Sequence, residues 1–312
     1  MEDIKNFLKT KFEKITDLGE VKQYLGLYMS KDGNQLLLNQ EQYIMDMIRN
    51  NNIDEKELRR TPAETPLPTN LRQILDNDKD ADQKEESMEE IVGQLRYLAD
   101  RTRPDIAFAA SFLARFAAKP TKLQKKLAMR TINYLYHTKN IPLIIGSNKK
   151  TIELFAMADS NHVRGGDSKA QLCFVLYLSK DSGPILLKSQ KDKNVSISPA
   201  HSELNALVEA VKAIIFIRTF LKELNVLDEN KPTIIYEDNQ TVTNICKNIG
   251  SDQRSKYLIT KINFVREAID TQIITINDIK SKDKLSLGSL LHYVADIGTK
   301  SLEPTCHANQ MP

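Results

Sequence analysis

The sequence contains no tryptophan and only three cysteines, Cys173, Cys246 and Cys306, in 312 residues. The cysteines stand far apart without C-x-x-C spacing, which argues against a disulfide framework and a zinc knuckle and suits a reducing compartment. No apolar run approaches the ~18 residues that a membrane span needs. The N-terminal segment also lacks the continuous apolar stretch of a signal peptide. The sequence therefore predicts a soluble, intracellular protein with no membrane partner.

A strong net charge is also missing, because 44 lysines and arginines nearly balance 41 aspartates and glutamates. The net charge of +3 is too small to indicate nucleic-acid binding from composition, so any basic surface must be local. What the sequence does contain is 41% hydrophobic residues, which is enough for real cores. Its length allows two domains of roughly 150 residues each.

Hydrophobic periodicity predicts a largely helical first half. Residues 2–15 read as an amphipathic helix, and residues 22–39 form two apolar runs around Lys-Asp-Gly-Asn, which predicts a β-hairpin. Residues 76–90 carry eight acidic and two basic side chains, which is typical of a solvated linker. Pro104 and Pro120 divide the helical stretch that follows into three helices.

The pattern changes at about residue 141, where short apolar segments alternate with helical ones. The predicted order is β-β-β-α-β-α-α-β-α, with "NVSIS" (194–198) as a further strand-like segment. The strongest element is a long helix that Ser198 can cap and Pro199 can begin. These segments predict an α/β fold class, α+β overall, with a mixed sheet that carries helices on its faces.

Four acidic residues stand out by their settings at one end of this predicted sheet. Asp159 and Asp238 end strands. Glu203 lies in the first turns of the long helix, and Asp296 lies in "VADIGTK". Clustered carboxylates raise one another's pKa unless cations neutralise them, and Mg²⁺ prefers such ligands. Two such ions can clamp the attacking and leaving oxygens of a phosphodiester.

The residues alone leave other interpretations open. Strand-end aspartates are common in turns, and Asp296 would suit the N-terminus of a helix. Glu209 is a rival to Glu203 on the same helix. Asn239 and Gln240 could orient a ribose or a phosphate, or cap the helix that follows them.

Several longer phrases carry a resemblance to a known family. They are "DLGEVKQYLGLYMS", "VGQLRYLADRTRPDIAFAASFLARF", "LKELNVLDENKPTIIYEDNQTVTNI" and "HYVADIGTKSL", and the R-T-R-P-D-I-A-F core is the most specific of them. The sequence resembles the C-terminal part of the Pol polyprotein of copia-type LTR retrotransposons, meaning the end of the reverse transcriptase and the ribonuclease H domain.

The resemblance implies a domain organisation. Residues 1–75 would form the palm-tail hairpin and helices of a reverse transcriptase, and residues 76–90 the acidic linker. Residues 91–140 would form a helical region like a thumb or connection. Residues 141–305 would form a ribonuclease H-like mixed sheet flanked by helices.

The resemblance also implies roles for the four acids. Asp159 matches the first aspartate of the family's D-A-D-W motif and Glu203 the glutamate of S-S-T-E-A-E-Y. Asp238 matches D-N-Q and Asp296 matches A-D-I. Together they would be the catalytic residues, holding two Mg²⁺ ions, with Mn²⁺ as the alternative, to hydrolyse the RNA strand of an RNA–DNA hybrid.

Substrate contacts are expected near these acids and on a basic helix. Recognition of RNA in the hybrid would rest on 2′-hydroxyl contacts, and contacts with phosphates would be sensitive to salt. The basic helix could equally be a solvated face that needs no ligand. The candidate substrate-binding residues are Ser160, Asn239, Gln240, His292, Lys122, Lys125, Lys126 and Arg130.

The sequence departs from the family pattern at several points. His162 replaces the usual tryptophan, and Asn161 replaces the second aspartate of the first motif. The family's K-S-T-S-G-Y stretch is "SKAQLCF" here, and K-H-I-D-I is "KYLIT". The chain contains no two consecutive aspartates, so the Y-x-D-D polymerase site is missing and we expect no DNA synthesis from this chain alone.

Two other functions remain open at this point. The chain could be a catalytically silent remnant that binds nucleic acid or a partner without cutting, or a nuclease of the same fold that prefers DNA. The resemblance names the remaining reverse transcriptase and integrase parts of Pol as further partners. It implies an intracellular location, in cytoplasmic virus-like particles, in the nucleus, or in both.

Overall fold

The computed structural model describes residues 2–12, 14–17, 19–51, 53, 58–63, 86–146, 152–161, 169–247, 258–278 and 298–299. Within these ranges the chain forms eight α-helices and two β-sheets. None of the described helices is both long enough and apolar enough to cross a membrane. The predicted acidic linker lies mostly outside the described residues, and so does most of the predicted closing helix around Asp296.

The first sheet is an antiparallel sheet in the order β1-β2-β3-β4. The predicted hairpin is confirmed, since β2 and β3 pair on either side of a turn in which Gly33 has a φ of 57°, a conformation that glycine adopts without strain. The strands are Gln23–Tyr24 (β1), Leu27–Asp32 (β2), Gln35–Asn39 (β3) and Leu143–Ile145 (β4).

The helices of the first half follow the prolines as predicted. A 3₁₀ turn over Pro104–Ile106 separates the third and fourth of the helices below, and Thr121 and Gln124 form a capping box at the start of the last. The helices are Glu2–Lys11 (α1), Glu41–Asn50 (α2), Glu89–Arg101 (α3), Ala107–Leu113 (α4) and Lys122–His137 (α5).

The second sheet has the order β7-β6-β5-β8-β9, in which β5, β6 and β7 are antiparallel neighbours and β5, β8 and β9 are parallel ones. With its flanking helices it is the mixed sheet with helices on its faces that the sequence predicted. Its strands are Phe155–Asn161 (β5), Gln171–Tyr177 (β6), Pro184–Lys191 (β7), Thr233–Glu237 (β8) and Ile274–Asp278 (β9). Its helices are Pro199–Glu223 (α6), Gln240–Lys247 (α7) and Ile259–Asp270 (α8).

The long helix α6 begins as predicted, but the strand-like segment before it does not form a strand. Ser198 accepts a hydrogen bond from the backbone N–H of His201 at 3.2 Å. Residues 194–198 form a loop, so that prediction is wrong. The side chain of Asp192 accepts hydrogen bonds from the Asn194 backbone N–H and the Ser196 hydroxyl, and such local bonds compete with strand pairing.

The two faces of the second sheet are covered by different parts of the chain. Phe155, Met157 and Val175 pack in one continuous core with residues of helices α2 to α5. Alternate residues of the same strands, such as Ala156 and Leu176, pack against α6, α7 and α8. The helical first half therefore covers one face of the second sheet, because side chains alternate between faces along a strand.

Strand β4 joins the first sheet, although the resemblance placed residues from 141 onward in the second domain. Its residues Leu143–Ile145 pair with Leu36–Leu38 of β3. The Gly183 backbone N–H, just before β7, donates to the Ile144 carbonyl at 2.7 Å and links the two sheets. The domain limits themselves remain a prediction.

The most specific motif of the sequence, R-T-R-P-D-I-A-F, forms a buried polar network. Arg103 donates to both carboxylate oxygens of Asp105, at 3.0 and 2.7 Å. The hydroxyl of Tyr134 donates to Asp105 at 2.6 Å, and Arg103 also donates to the Thr138 carbonyl. The Arg103 and Asp105 side chains are only 3% and 8% exposed, so the motif ties the turn after α3 to α5.

We expect the Asp105→Ala substitution to destabilise the fold by about 3–5 kcal/mol, because it leaves the buried Arg103 guanidinium without its counter-charge. The measurement is the free energy of unfolding in urea. Asp46→Ala is the matched control, since it removes the largely exposed pair of Asp46 with Arg49 and should cost at most about 1 kcal/mol. Equal losses in the two variants would contradict the structural role of the motif.

Candidate metal centre

Three of the four predicted acids meet at one edge of the second sheet. Asp159 lies near the end of β5, and Asp238 directly follows β8. These strands are parallel neighbours, so their carboxyl ends lie at the same edge, where ligands bind in open α/β sheets. Glu203 reaches this edge from the start of α6. One carboxylate oxygen from each residue lies within 4.8 Å of those of the other two.

The electrostatics of this group are dominated by burial and by like charge. Glu203 is 7% exposed. Its pKa is raised to about 10, first by burial and then by the charges of Glu237, Asp159 and Asp238, while the nearby Ser160 hydroxyl lowers it. Within the part of the chain that the structure describes, the Glu203 Oε2 atom has no hydrogen-bond partner. A carboxylate in this position requires either a proton or a cation.

A further carboxylate near this group, that of Glu237, was not identified from the sequence. It is the last residue of β8 and is completely buried. Its Oε1 accepts from the Asn239 backbone N–H at 3.1 Å, while its Oε2 has no partner among the described residues. Burial, and then the charges of Asp238 and Asp159, raise its pKa well above the ordinary value. The alternation Thr233, Ile235, Glu237 along β8 was the signal that this side chain points inward.

The residues present fit a divalent cation. The converging donors are all carboxylates, which are the ligands that Mg²⁺ prefers. One buried carboxylate oxygen of this group, on Glu203, lacks a hydrogen-bond donor among the described residues, and so does one on the neighbouring Glu237. The mutual repulsion that raises the pKa of Glu203 would be relieved by positive charge at this point.

The other candidates near the acids have distinct environments. Asn239 caps α7, because its Oδ1 accepts from the backbone N–H groups of Thr241 and Val242 at 3.0 and 3.3 Å. Gln240 is exposed at the first position of that helix, and Ser160 is half-buried. Asp296, His292 and His162 lie outside the described residues.

The rival acid Glu209 lies outside the cluster. Its carboxylate pairs with Lys212 at 2.8 Å on the same helix. Of the two glutamates that the sequence offered, only Glu203 is within reach of Asp159 and Asp238.

The four basic candidates on α5 are not equivalent. Lys122 and Lys126 are exposed, and Lys125 is half-buried. Arg130 is also half-buried and donates to the Thr61 hydroxyl at 2.9 Å, so it contacts another segment of the chain. Lys122 and Lys126 are therefore the most exposed basic side chains of this predicted surface.

Comparison with curated proteins reveals homologues over almost the whole chain. The retrovirus-related Pol polyprotein from transposon RE1 of Arabidopsis thaliana is 28% identical over 95% of this chain and 19% of its own length. That from transposon TNT 1-94 of Nicotiana tabacum is 26% identical over 90% of this chain and 21% of its own length. The truncated transposon Ty1-A Gag-Pol polyprotein of Saccharomyces cerevisiae is 23% identical over 95% of this chain. No family model matches the sequence.

Similar solved structures include a ribonuclease H1 isolated from compost, with a TM-score of 0.34 and 12% identity over 47% of this chain and 97% of that one. They also include a foamy viral protease–reverse transcriptase in complex with an RNA/DNA hybrid. That structure has a TM-score of 0.46 and 13% identity over 84% of this chain and 29% of its own.

The homologues of this chain are thus Pol polyproteins of plant and yeast retrotransposons, which confirms the resemblance found in the motifs. The sequence is consistent with a copia-type Pol fragment. The chain spans about a fifth of the length of the two plant relatives.

The raised pKa values of Glu203 and Glu237 make stability depend on pH. Each of the two groups keeps its proton in the folded protein at pH values where the unfolded chain, with the ordinary pKa of 4.5, has released it. The contribution of these protons to stability is therefore complete below pH 4.5. It is lost as the pH rises toward the folded pKa, which is about 10 for Glu203. In EDTA we expect the free energy of unfolding to fall between about pH 6 and about pH 9, by up to about 1.4 kcal/mol per unit for each retained proton.

The measurement is a series of urea unfolding curves across that pH range, with and without Mg²⁺. Glu203→Gln should reduce the slope in EDTA, and Mg²⁺ should flatten it in the wild type. Glu209→Gln is the control and should leave the slope as it is. A wild type whose stability does not change with pH in EDTA would refute this account of the cluster.

Proposed function

We propose that this chain is a metal-dependent ribonuclease H-type endonuclease that hydrolyses the RNA strand of an RNA–DNA hybrid. The observation that carries the proposal is the convergence of Asp159, Glu203 and Asp238 at the open edge of a ribonuclease H-like sheet. The homology to retrotransposon Pol polyproteins supports the same conclusion.

The proposed role of each acid follows from its position. Asp159 and Asp238 would hold cations from the ends of two parallel strands, whose backbone fixes the spacing of the two carboxylates. Glu203 would hold a cation from the buried start of α6, and Asp296 would complete the set. Divalent cations bound there would activate a water molecule and neutralise charge that develops on the phosphate. The surrounding burial strengthens each of these electrostatic contacts.

A cleft lined by five lysines, together with Asp192 and Glu209, supports a polyanionic substrate. It lies between β7 and α6, and Asn205, two residues after Glu203, contributes to its wall. The ammonium group of Lys261 donates to the Asn205 side chain at 2.6 Å and is held there from α8. The lysines of this cleft are Lys188, Lys191, Lys193, Lys212 and Lys261.

The lysines of α5 and of the cleft would contact the phosphates of the hybrid. The remaining parts of Pol would be further partners, and because the sequence contains no two consecutive aspartates we expect no DNA synthesis from this chain alone. A polymerase assay on this chain alone should therefore be negative. These assignments of substrate and partner belong to the proposal.

The proposal is tested by cleavage of a labelled RNA–DNA hybrid in Mg²⁺. We expect the wild type to cut only the RNA strand, and Asp159→Asn, Asp238→Asn and Glu203→Gln to lose at least about a hundredfold in rate. The reason is that even groups that only orient metal ligands are worth about 10- to 100-fold. Glu223→Gln, at the exposed far end of α6, is the matched control and should cut like the wild type.

Other results of the cleavage assay would support a different function. A wild type that binds the hybrid in a salt-dependent way without cutting it would favour the silent remnant. Cutting of the DNA strand would favour the DNA-directed nuclease. Full activity in Asp159→Asn would exclude the proposed metal site.

The basic surface can be tested separately by measuring hybrid affinity against salt concentration. We expect Lys188→Glu with Lys193→Glu to weaken binding and to reduce the slope of log affinity against log salt by about one for each phosphate that the variant no longer neutralises. Lys122→Glu with Lys126→Glu tests α5 in the same way. Lys31→Glu, on the exposed hairpin of the first sheet, is the control. If both double variants had the same slope as the wild type, these two surfaces would be excluded as contact sites for the hybrid.

A further inference from the structure

A row of three side chains crosses the second sheet beside the candidate metal centre. Asp159 of β5 is paired with Cys173 of β6, which is paired with Ser189 of β7. Residues 298–299 lie against this row. A Cβ atom at position 298 would overlap the Cys173 side chain, so Gly298 is what permits this close approach.

The short segment Gly298–Thr299 is held on this row at both ends. The Ser189 hydroxyl donates to the Gly298 carbonyl. The Thr299 hydroxyl donates to Asp159 Oδ2 at 2.5 Å, and the Asn161 side chain donates to the Thr299 carbonyl at 3.5 Å. Thr299 is completely buried, so water does not compete for the hydrogen bond to the carboxylate.

This contact constrains a proposed metal ligand. A hydroxyl that donates to one oxygen of a carboxylate restricts rotation of the group and leaves the other oxygen directed elsewhere. The Thr299 bond therefore selects one orientation of Asp159 at the site shared with Glu203 and Asp238. A hydrogen bond to a charged acceptor is also stronger than one between neutral groups.

The same row is connected to the helical first half. Gln171, the first residue of β6, is 2% exposed. Its amide nitrogen donates to the hydroxyls of Ser189, at 2.7 Å, and of Ser111 in α4, at 3.0 Å. Its amide oxygen accepts from Arg115, which follows α4. Continuous hydrogen bonds thus run from α4 through Gln171 and Ser189 to the segment that contacts Asp159.

We propose that Thr299 is a positioning residue that orients Asp159 for cation binding, and that Gln171 and Ser189 fix Thr299 relative to the helical first half. The inference rests on the proposed function in one respect, namely that Asp159 holds a cation. It adds a residue with a hydroxyl rather than a carboxylate to the site. It also connects the helical half to the metal centre through a chain of hydrogen bonds.

The first test measures divalent-cation binding to the full chain by calorimetry, without nucleic acid. We expect Thr299→Val, which keeps the shape of the side chain but lacks the hydroxyl, to weaken Mg²⁺ or Mn²⁺ binding by about tenfold. Thr299→Ser restores the hydroxyl and should bind like the wild type. Asp159→Asn gives the baseline for loss of the ligand itself.

Thr131→Val is the matched control, because Thr131 is an equally buried threonine in α5 whose hydroxyl donates to backbone carbonyls. It should leave cation binding unchanged. Circular dichroism checks that each variant folds. If Thr299→Val does not fold, Thr299→Ser still tests whether a hydroxyl at this position is sufficient for cation binding. Wild-type affinity in a folded Thr299→Val, or serine binding as weakly as valine, would overturn the assignment.

The second test concerns the link to the helical half. Ser189→Ala removes the donor to Gly298 and should weaken cation binding, though less than Thr299→Val does. Ser182→Ala is its control, because Ser182 is a buried serine in the turn between β6 and β7, at the opposite end of the same strand pair. Unchanged binding in Ser189→Ala would remove the link from the proposal.

The outcomes separate this inference from the proposed function. A wild type that binds no divalent cation would overturn both. A wild type that binds cations and cuts the hybrid, with a folded Thr299→Val that does the same equally well, would overturn only the role of Thr299.

Discussion

The close packing of several carboxyl groups at the edge formed by β5 and β8 is the constraint on which the rest of this molecule depends. Two parallel strands bring Asp159 and Asp238 together, and the fold then buries Glu203 and Glu237 beside them. Desolvation and like charge oppose ionisation of these buried groups, and the described side chains leave two carboxylate oxygens without a donor. The cluster is consistent only with protons or cations at this edge, which is why it has the character of a binding site.

The geometry of that edge is maintained by packing on both faces of the sheet. The helices α6 to α8 cover one face and the helical first half covers the other. The buried pair of Arg103 and Asp105 stabilises the turn that lets α3 and α4 pack there. The R-T-R-P-D-I-A-F motif therefore acts at a distance from the acidic edge, by fixing the helices that pack on the sheet.

Local signals in the sequence were sufficient for much of this structure. The turn at Gly33, the cap at Ser198 and the helix breaks at Pro104 and Pro120 depend on a few neighbouring residues and were predicted correctly. The meeting of three acids followed from family motifs and from the order of parallel strands. What could not be predicted depends on distant contacts. The burial of Glu237, the pairing of β4 with β3, and the bond from Thr299 to Asp159 join residues whose separation in the chain carries no periodic signal.

The shared core between the helical half and the second sheet has an evolutionary consequence. A copy of this chain that accumulated damage only in its first half would expose the apolar face formed by Phe155, Met157 and Val175. Its acids could remain intact in sequence while their scaffold was destroyed. Selection that preserves the acidic edge would therefore also act on the buried residues of the helical first half, and the two halves would drift or persist together.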